Sequence, residues 1–187
     1  MQDHHNAPAA VVALAGRRVD AEDAETQRFP STQVPLVRER LAELLAAEGA
    51  EALVCSAACG ADLLALEVAE RLGLRRRIVL PFALGRFRET SVVDRPGDWG
   101  PVFDRLVAAA EAAGDLVVLE AGDGSAAYAA ANEAILREAR ALATGAPRRL
   151  VAVVAWEGSA REGSDATEGF RQLATQAGFE PRFVPTL

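Results

Sequence analysis

Short continuous apolar runs alternate along the chain with longer runs in which apolar residues recur every three or four positions. Residues 11–16 (VVALAG) are apolar throughout and end in glycine, which predicts a strand buried on both faces. A polar stretch over 17–29 follows. Leu36, Val37, Leu41, Leu44 and Leu45 then mark one face of a helix that Pro35 can open and Gly49 can end. The same alternation predicts strands over 52–57 and 77–82 around a helix over 61–73. A polar segment over 83–98 breaks the rhythm. A helix over 99–114, a strand over 115–122, a helix over 125–142 with Ser125 as N-cap, and a strand over 149–156 complete most of the chain. Asp165 and Glu168 stand at N-cap and N3 spacing before Phe170, Leu173, Ala174 and Ala177, a capping-box signature for one more helix. After Gly178, residues 179–186 supply a last strand, placed at a sheet edge by its prolines.

Six strands alternating with five helices imply parallel βαβ units, hence an α/β protein with a three-layer α/β/α, doubly wound, mostly parallel sheet of about six strands. No linker, repeat or second core interrupts residues 11–187, which are read as one domain behind a loose tail over 1–10.

Composition narrows the chemistry. The 20 basic residues are all arginine and are outnumbered by 27 acidic ones, for a net charge of -7. That balance argues against general nucleic-acid or anionic-membrane binding. Without lysine there is no Schiff-base nucleophile and no P-loop lysine. Cys55 and Cys59 lack further metal ligands, because the only histidines, His4 and His5, lie in the tail. The thiols are read as structural, and neither a metal nor a cofactor is expected. The same histidine shortage removes a Ser-His-Asp or Cys-His arrangement. The start of the chain has no basic segment followed by a long apolar one, and no apolar run is long enough to span a membrane, so a cytoplasmic location is expected. Homo-oligomerisation stays open.

In an open parallel sheet, ligands bind beyond the carboxyl ends of the strands where strand order reverses. That rule selects the loops at Gly16-Arg17-Arg18, Ser56 to Asp62, 81–98, Gly122 to Ser125 and 157–165. At Ser56, Ala58, Gly60 and Ala61, and again at Gly122, Gly124 and Ser125, small residues let a phosphate approach the N–H groups that open the next helix. The same residues also suit tight turns without any ligand. Of the arginines on this edge (Arg17, Arg18, Arg28, Arg86, Arg88, Arg95 and Arg161), most are interspersed with acids and read as solvated surface charge. Arg17 and Arg86 are the two expected to face a ligand. Asp62, Glu120, Asp123, Glu133 and Asp165 are the carboxylates available for acid–base work.

The segment SAACGADLLALEVAERLG resembles the "GG-x-x-G-A-D, Ala-rich helix, Gly" pattern of the SLOG superfamily, which includes the LOG phosphoribohydrolases and the DNA-processing protein DprA. The opening strand into Gly16-Arg17-Arg18, and the segments LPFALGRFRETSV, GDGSAAYAAANEAIL and WEGSAREGSDATEGF, are similar to a bacterial subgroup of SLOG-like proteins. The resemblance covers residues 11–187. It implies a Rossmann-like fold with a pocket for a nucleotide or nucleotide-derived ligand. Laid on the LOG motif P-G-G-x-G-T-x-x-E, the chain keeps Gly122, Gly124 and Ser125 but carries Tyr128 where the family has its catalytic glutamate.

These readings converge on an expected site. A phosphate sits on Gly60 and Ala61, with Gly124 and Ser125 across the crevice, Arg17 and Arg86 neutralise it, Asp62 orients the loop or a ribose hydroxyl, and Tyr128 stacks or donates a hydrogen bond. Binding or sensing is the leading expectation. The alternatives are an N-glycosidic bond hydrolase using Glu120, Asp123 or Glu133, and a non-catalytic interaction module.

Overall fold

The structure is a computed structural model that describes residues 8–187. In chain order the elements are β1 (Ala10–Gly16), α1 (Val34–Ala47), β2 (Ala50–Cys55), α2 (Ala61–Arg71), β3 (Arg75–Leu80), α3 (Leu84–Ser91), α4 (Trp99–Ala112), β4 (Leu116–Val118), α5 (Gly124–Leu142), β5 (Arg149–Trp156), α6 (Ala166–Gln176) and β6 (Glu180–Pro185). The six strands form one sheet in the order β4-β3-β2-β1-β5-β6, and every neighbouring pair is parallel. The expected three-layer α/β/α architecture is the one observed.

Side-chain alternation along the strands divides the core into two layers. Val12 and Leu14 of β1 join Leu41 of α1, Leu64 of α2 and Phe103 of α4 on one face. Val11 and Ala13 join Ile135 of α5 and Phe170 of α6 on the other. Helix α2 lies between α1 and α4, so it is buried almost all round, and Leu63, Leu64 and Leu66 have no exposed surface. Each such leucine contributes about 1.5–3 kcal/mol of transfer free energy. The same placement takes Asp62, in the first turn of α2, out of solvent.

Strand β1 pairs with β5 from Ala10 opposite Arg149 to Gly16 opposite Ala155. The chain leaves β1 for α1 on one face and leaves β5 for α6 on the other. Strand order therefore reverses between β1 and β5, and a crevice opens at their carboxyl ends.

Three expectations are corrected. The polar segment over 83–98 contains a helix, α3, in which only Phe87 and Ser91 are buried. Two apolar anchors in eight residues, Leu84 and Phe87, leave too short a pattern to read as a periodicity. Strand β4 is three residues long, shorter than the 115–122 expected, because it lies at an edge with one neighbour. The backbone N–H groups of Leu119 and Ala121 still donate to Leu80 and Pro81. Of the tail expected over 1–10, residues 1–7, including His4 and His5, lie outside the described residues. Ala10 is buried and opens β1, and the Ala9 carbonyl accepts a bond from the Arg149 N–H. Edge strand β6 contains Pro181 and Pro185, as its sequence predicts.

Candidate functional site

A cavity of about 460 Å³ occupies the crevice at the reversal of strand order. Leu14 of β1, Phe87 of α3 and Ile135 of α5 supply apolar wall. Ser56, Ala58 and Asp62 enter from the β2–α2 connection, and Arg161 and Asp165 from the loop ahead of α6.

Arg17 lines this cavity but is already committed. It is 2% exposed, and its Nε lies 2.7 Å from Glu157 Oε2 while Nη1 lies 2.7 Å from Asp165 Oδ1. Its Nη2 donates to the Ser159 carbonyl at 2.7 Å, and the guanidinium lies over the Trp156 ring. Burial works against the charge of Arg17, but the bonds to Asp165 and Glu157 outweigh it and raise its pKa. Burial likewise opposes the Asp165 carboxylate, yet Arg17 and the backbone N–H groups of Arg161 and Glu168 hold its pKa down to about 2. Arg28 also pairs with Glu157. Two arginines and two carboxylates thus neutralise one another, and the expectation that Arg17 balances a ligand phosphate is corrected. Its task is to join the β1 loop to the β5–α6 loop.

Several N–H groups at the opening of α2 are committed too. The Ala58 N–H donates to Asp62 Oδ2 at 3.2 Å, Cys59 N–H to the Ser91 carbonyl at 3.0 Å, and Ala61 N–H to the Arg17 carbonyl at 3.1 Å. Gly60 and Ala61 are buried outside the cavity lining, so the phosphate position expected on them is corrected. Gly60 serves the backbone instead. Its φ is +102°, and a Cβ there would lie 2.8 Å from both the Arg17 carbonyl oxygen and the Val19 nitrogen. Gly16 is small for a similar reason, since a Cβ would meet that of Ala61 at 2.4 Å.

Asp62 is 7% exposed and lines the cavity. Burial pushes its carboxyl up to about 7, against the opposing pull of the Ala58 N–H. Its Oδ1 and the Ser56 Oγ are buried without a hydrogen-bond partner. Cys55 and Cys59 are buried thiols whose pKa values are raised, chiefly by desolvation.

Helix α5 presents its N-terminus to the opposite side of the cavity. Gly124 and Ser125 line it, and the side chain of the capping residue Asp123 bonds none of the first-turn amides. By contrast, Asp165 caps α6 by accepting from Thr167 and Glu168. Gly124, Tyr128, Ala131 and Ile135 form a stripe at helical spacing along α5, with Asn132 beside it. Tyr128 Oη shares a 3.2 Å hydrogen bond with Ser91 Oγ, and Asn132 Nδ2 donates to the Ala166 carbonyl at 2.8 Å.

The three candidate catalytic carboxylates lie elsewhere. Glu120, Asp123 and Glu133 are exposed, and none lines the cavity. Asp123 instead pairs with Arg86, which stacks on Phe82 outside the cavity lining, so the ligand-facing expectation for Arg86 is corrected with them. Gly122 also falls outside the lining, with φ +74° in the turn before α5.

Two residues were missed by the sequence reading. Asn132 stands four positions after Tyr128 in an otherwise Ala-rich helix, a spacing that places both on one face. Arg161 was grouped with the surface arginines. Arg18 is matched by Asp94 and Arg17 by its two carboxylates, whereas the Arg161 guanidinium makes no ion pair among the described residues. Arg161 is exposed and lines the cavity. Partial desolvation first, then the nearby charge of Arg17 and Arg28, lowers its pKa below the usual arginine value.

No protein-family model matches this chain, and no curated protein matches it in a sequence comparison. Among the described residues no helix is long and apolar enough to cross a membrane.

Proposed function

We propose that this is a SLOG-like protein whose cavity binds or senses a nucleotide or nucleotide-derived small molecule. The observation that carries the reading is the site's place and make-up. A cavity of about 460 Å³ stands at the β1/β5 reversal of strand order, with apolar walls and a few polar groups converging on it. This is the usual position and composition of a small-ligand site in an open parallel sheet. The uncapped start of α5 at Gly124 and Ser125, together with Arg161, suits the phosphate end, because helix N–H groups and a guanidinium both favour anions. The half-buried Tyr128 ring offers surface to a base, backed by the buried apolar residues Leu14, Phe87 and Ile135.

An N-glycosidic hydrolase gains no support from Glu120, Asp123 or Glu133, which stand outside the cavity. Binding therefore ranks above hydrolysis. The test is a thermal-shift and calorimetric panel of nucleoside mono-, di- and triphosphates against the full chain. Stabilisation by one class, weakened by Ser125→Glu at the start of α5, supports the reading. No stabilisation by any member overturns it.

A further inference from the structure

The connection between β2 and α2 leaves acceptors without donors. Asp62 Oδ1 and Ser56 Oγ are buried with no partner, and Asp62 Oδ2 accepts one bond, 3.2 Å long, from the Ala58 N–H. A carboxylate has room for about four such bonds. No arginine pairs with Asp62 among the described residues, although arginines hold most of the other buried acids in this protein. Several neighbouring donors are already used. Cys59 N–H is bound to Ser91, Ala61 N–H to Arg17, and the Ser91 and Tyr128 hydroxyls share one bond. Orphaned buried oxygens are rare and call for a partner, such as an ordered water, an ion or a ligand group. Both residues belong to the cavity wall.

The charged Asp62 carboxylate selects against phosphate, which would set oxygen against oxygen, and selects for donors, while the Ser56 hydroxyl beside it can accept from or donate to a second hydroxyl. The group on a nucleotide that offers two adjacent donors on a rigid ring is the ribose 2′,3′-diol. We propose that Asp62 and Ser56 recognise this vicinal diol, so that Asp62 is the residue that distinguishes ribose from a sugar lacking those hydroxyls. This rests on the reading of the cavity as a nucleotide site, and it gives the ligand a direction. The sugar faces the start of α2, and the phosphate faces outward toward α5 and Arg161, the reverse of what the small residues around Gly60 suggest. Two hydroxyl donors also stabilise the charged form of a carboxyl that burial otherwise keeps close to neutral.

The test is titration calorimetry of the full chain at pH 8 with the four ribonucleoside 5′-monophosphates and their 2′,3′-dideoxy counterparts. A ribonucleotide that binds is expected to bind roughly ten- to a hundredfold more tightly than its dideoxy form, the range for hydrogen bonds to a charged group. Asp62→Asn should shrink that ratio toward one, and Ser56→Ala should shrink it in part. The comparison of the two sugars on the unaltered chain needs no variant, so a folding defect in Asp62→Asn leaves it intact. Equal affinity for a ribonucleotide and its dideoxy form overturns the proposal while the nucleotide reading stands. If a di- or triphosphate of the wider panel binds instead, the same ribose and dideoxy comparison is made at that phosphate level, and if no member of the panel binds, the nucleotide reading falls and this proposal falls with it.

Discussion

Arg17 Nη1 and Asp165 Oδ1 meet at 2.7 Å across 148 positions of chain, and both side chains are almost wholly buried. The contact ties the loop that leaves β1 to the residue that caps α6, across the point where strand order reverses. Asp165 does three things at once. It pairs with Arg17, caps α6 through Thr167 and Glu168, and accepts the Arg161 N–H at 2.7 Å. The part of the cavity wall between the β1 loop and α6 therefore rests on a charge pair, while Leu14, Phe87 and Ile135 supply apolar wall elsewhere.

Removing one member of such a group strands the others. Arg17→Leu leaves Glu157 and Asp165 buried without their main partner and should cost about 3–5 kcal/mol of stability, read from urea unfolding. The pH dependence has a definite sign. The Asp165 carboxyl stands at about 2 in the fold against an ordinary 3.8, so its contribution is fully present above about pH 4 and is lost as pH falls through 2. Asp165→Asn should flatten that acid limb. An Arg17→Leu protein as stable as the parent would show that the pair does not brace the wall.

Asp62 titrates in the opposite sense. Its carboxyl is raised from 3.8 to about 7 in the fold, so between those values the native state holds a proton that the unfolded chain has released. Stability contributed by this group falls as pH rises from about 4 to about 7 and is level above, a total of roughly 4 kcal/mol at about 1.4 kcal/mol per unit. Asp62→Asn should equal the parent near pH 4 and gain on it steadily up to pH 7. Urea midpoints at four pH values measure this, and a difference that does not change with pH would contradict it.

Gly60→Ala tests the backbone role assigned to that glycine. A methyl group at φ +102° would sit 2.8 Å from two backbone atoms of the Arg17 to Val19 loop, which cannot swing aside as a flexible side chain would. A loss of about 2–3 kcal/mol is expected from strain and overpacking together. Gly124→Ala carries a positive φ but meets nothing within 4 Å, so it should lose less, about 1 kcal/mol. Equal losses would mean that the close approach at Gly60 is unimportant.

Among the arginines of the cavity, Arg161 is expected to carry ligand charge. Arg161→Ala should weaken nucleotide binding about five- to thirtyfold with little change in stability, the scale of one charge-assisted hydrogen bond at a solvent-accessible site. Arg86→Ala, outside the lining and paired with Asp123, should leave affinity within about twofold. Glu133→Gln on the exposed side of α5 should also leave it unaltered. Calorimetry on the three variants separates these outcomes, and a larger loss for Arg86→Ala than for Arg161→Ala would restore the arginine first read from the sequence.

The sequence by itself determined the α/β architecture, because apolar runs such as VVALAG alternating with amphipathic runs such as the one around Leu41 and Leu45 pack in few ways, and this chain is too short for the eight-stranded barrel. It also located the edge at which the cavity opens, since parallel crossovers leave the carboxyl ends of the strands free. The tertiary structure decided which side chains on that edge remain available. Arg17 and Arg86 carry charge in the sequence, but partners 148 and 37 positions away (Asp165 and Asp123) had already taken it, and Arg161 was left over. Gly60 and Ala61 carry the small side chains of an anion loop, but the fold passes the Arg17 carbonyl against them. Asp62 reads as an ordinary first-turn acid, and only its burial in the folded chain raises its carboxyl to about 7. The division has one physical cause. Apolar burial is non-directional and can be read from composition and period, whereas hydrogen bonds and ion pairs are directional and depend on which distant groups the folded chain brings within about 3 Å.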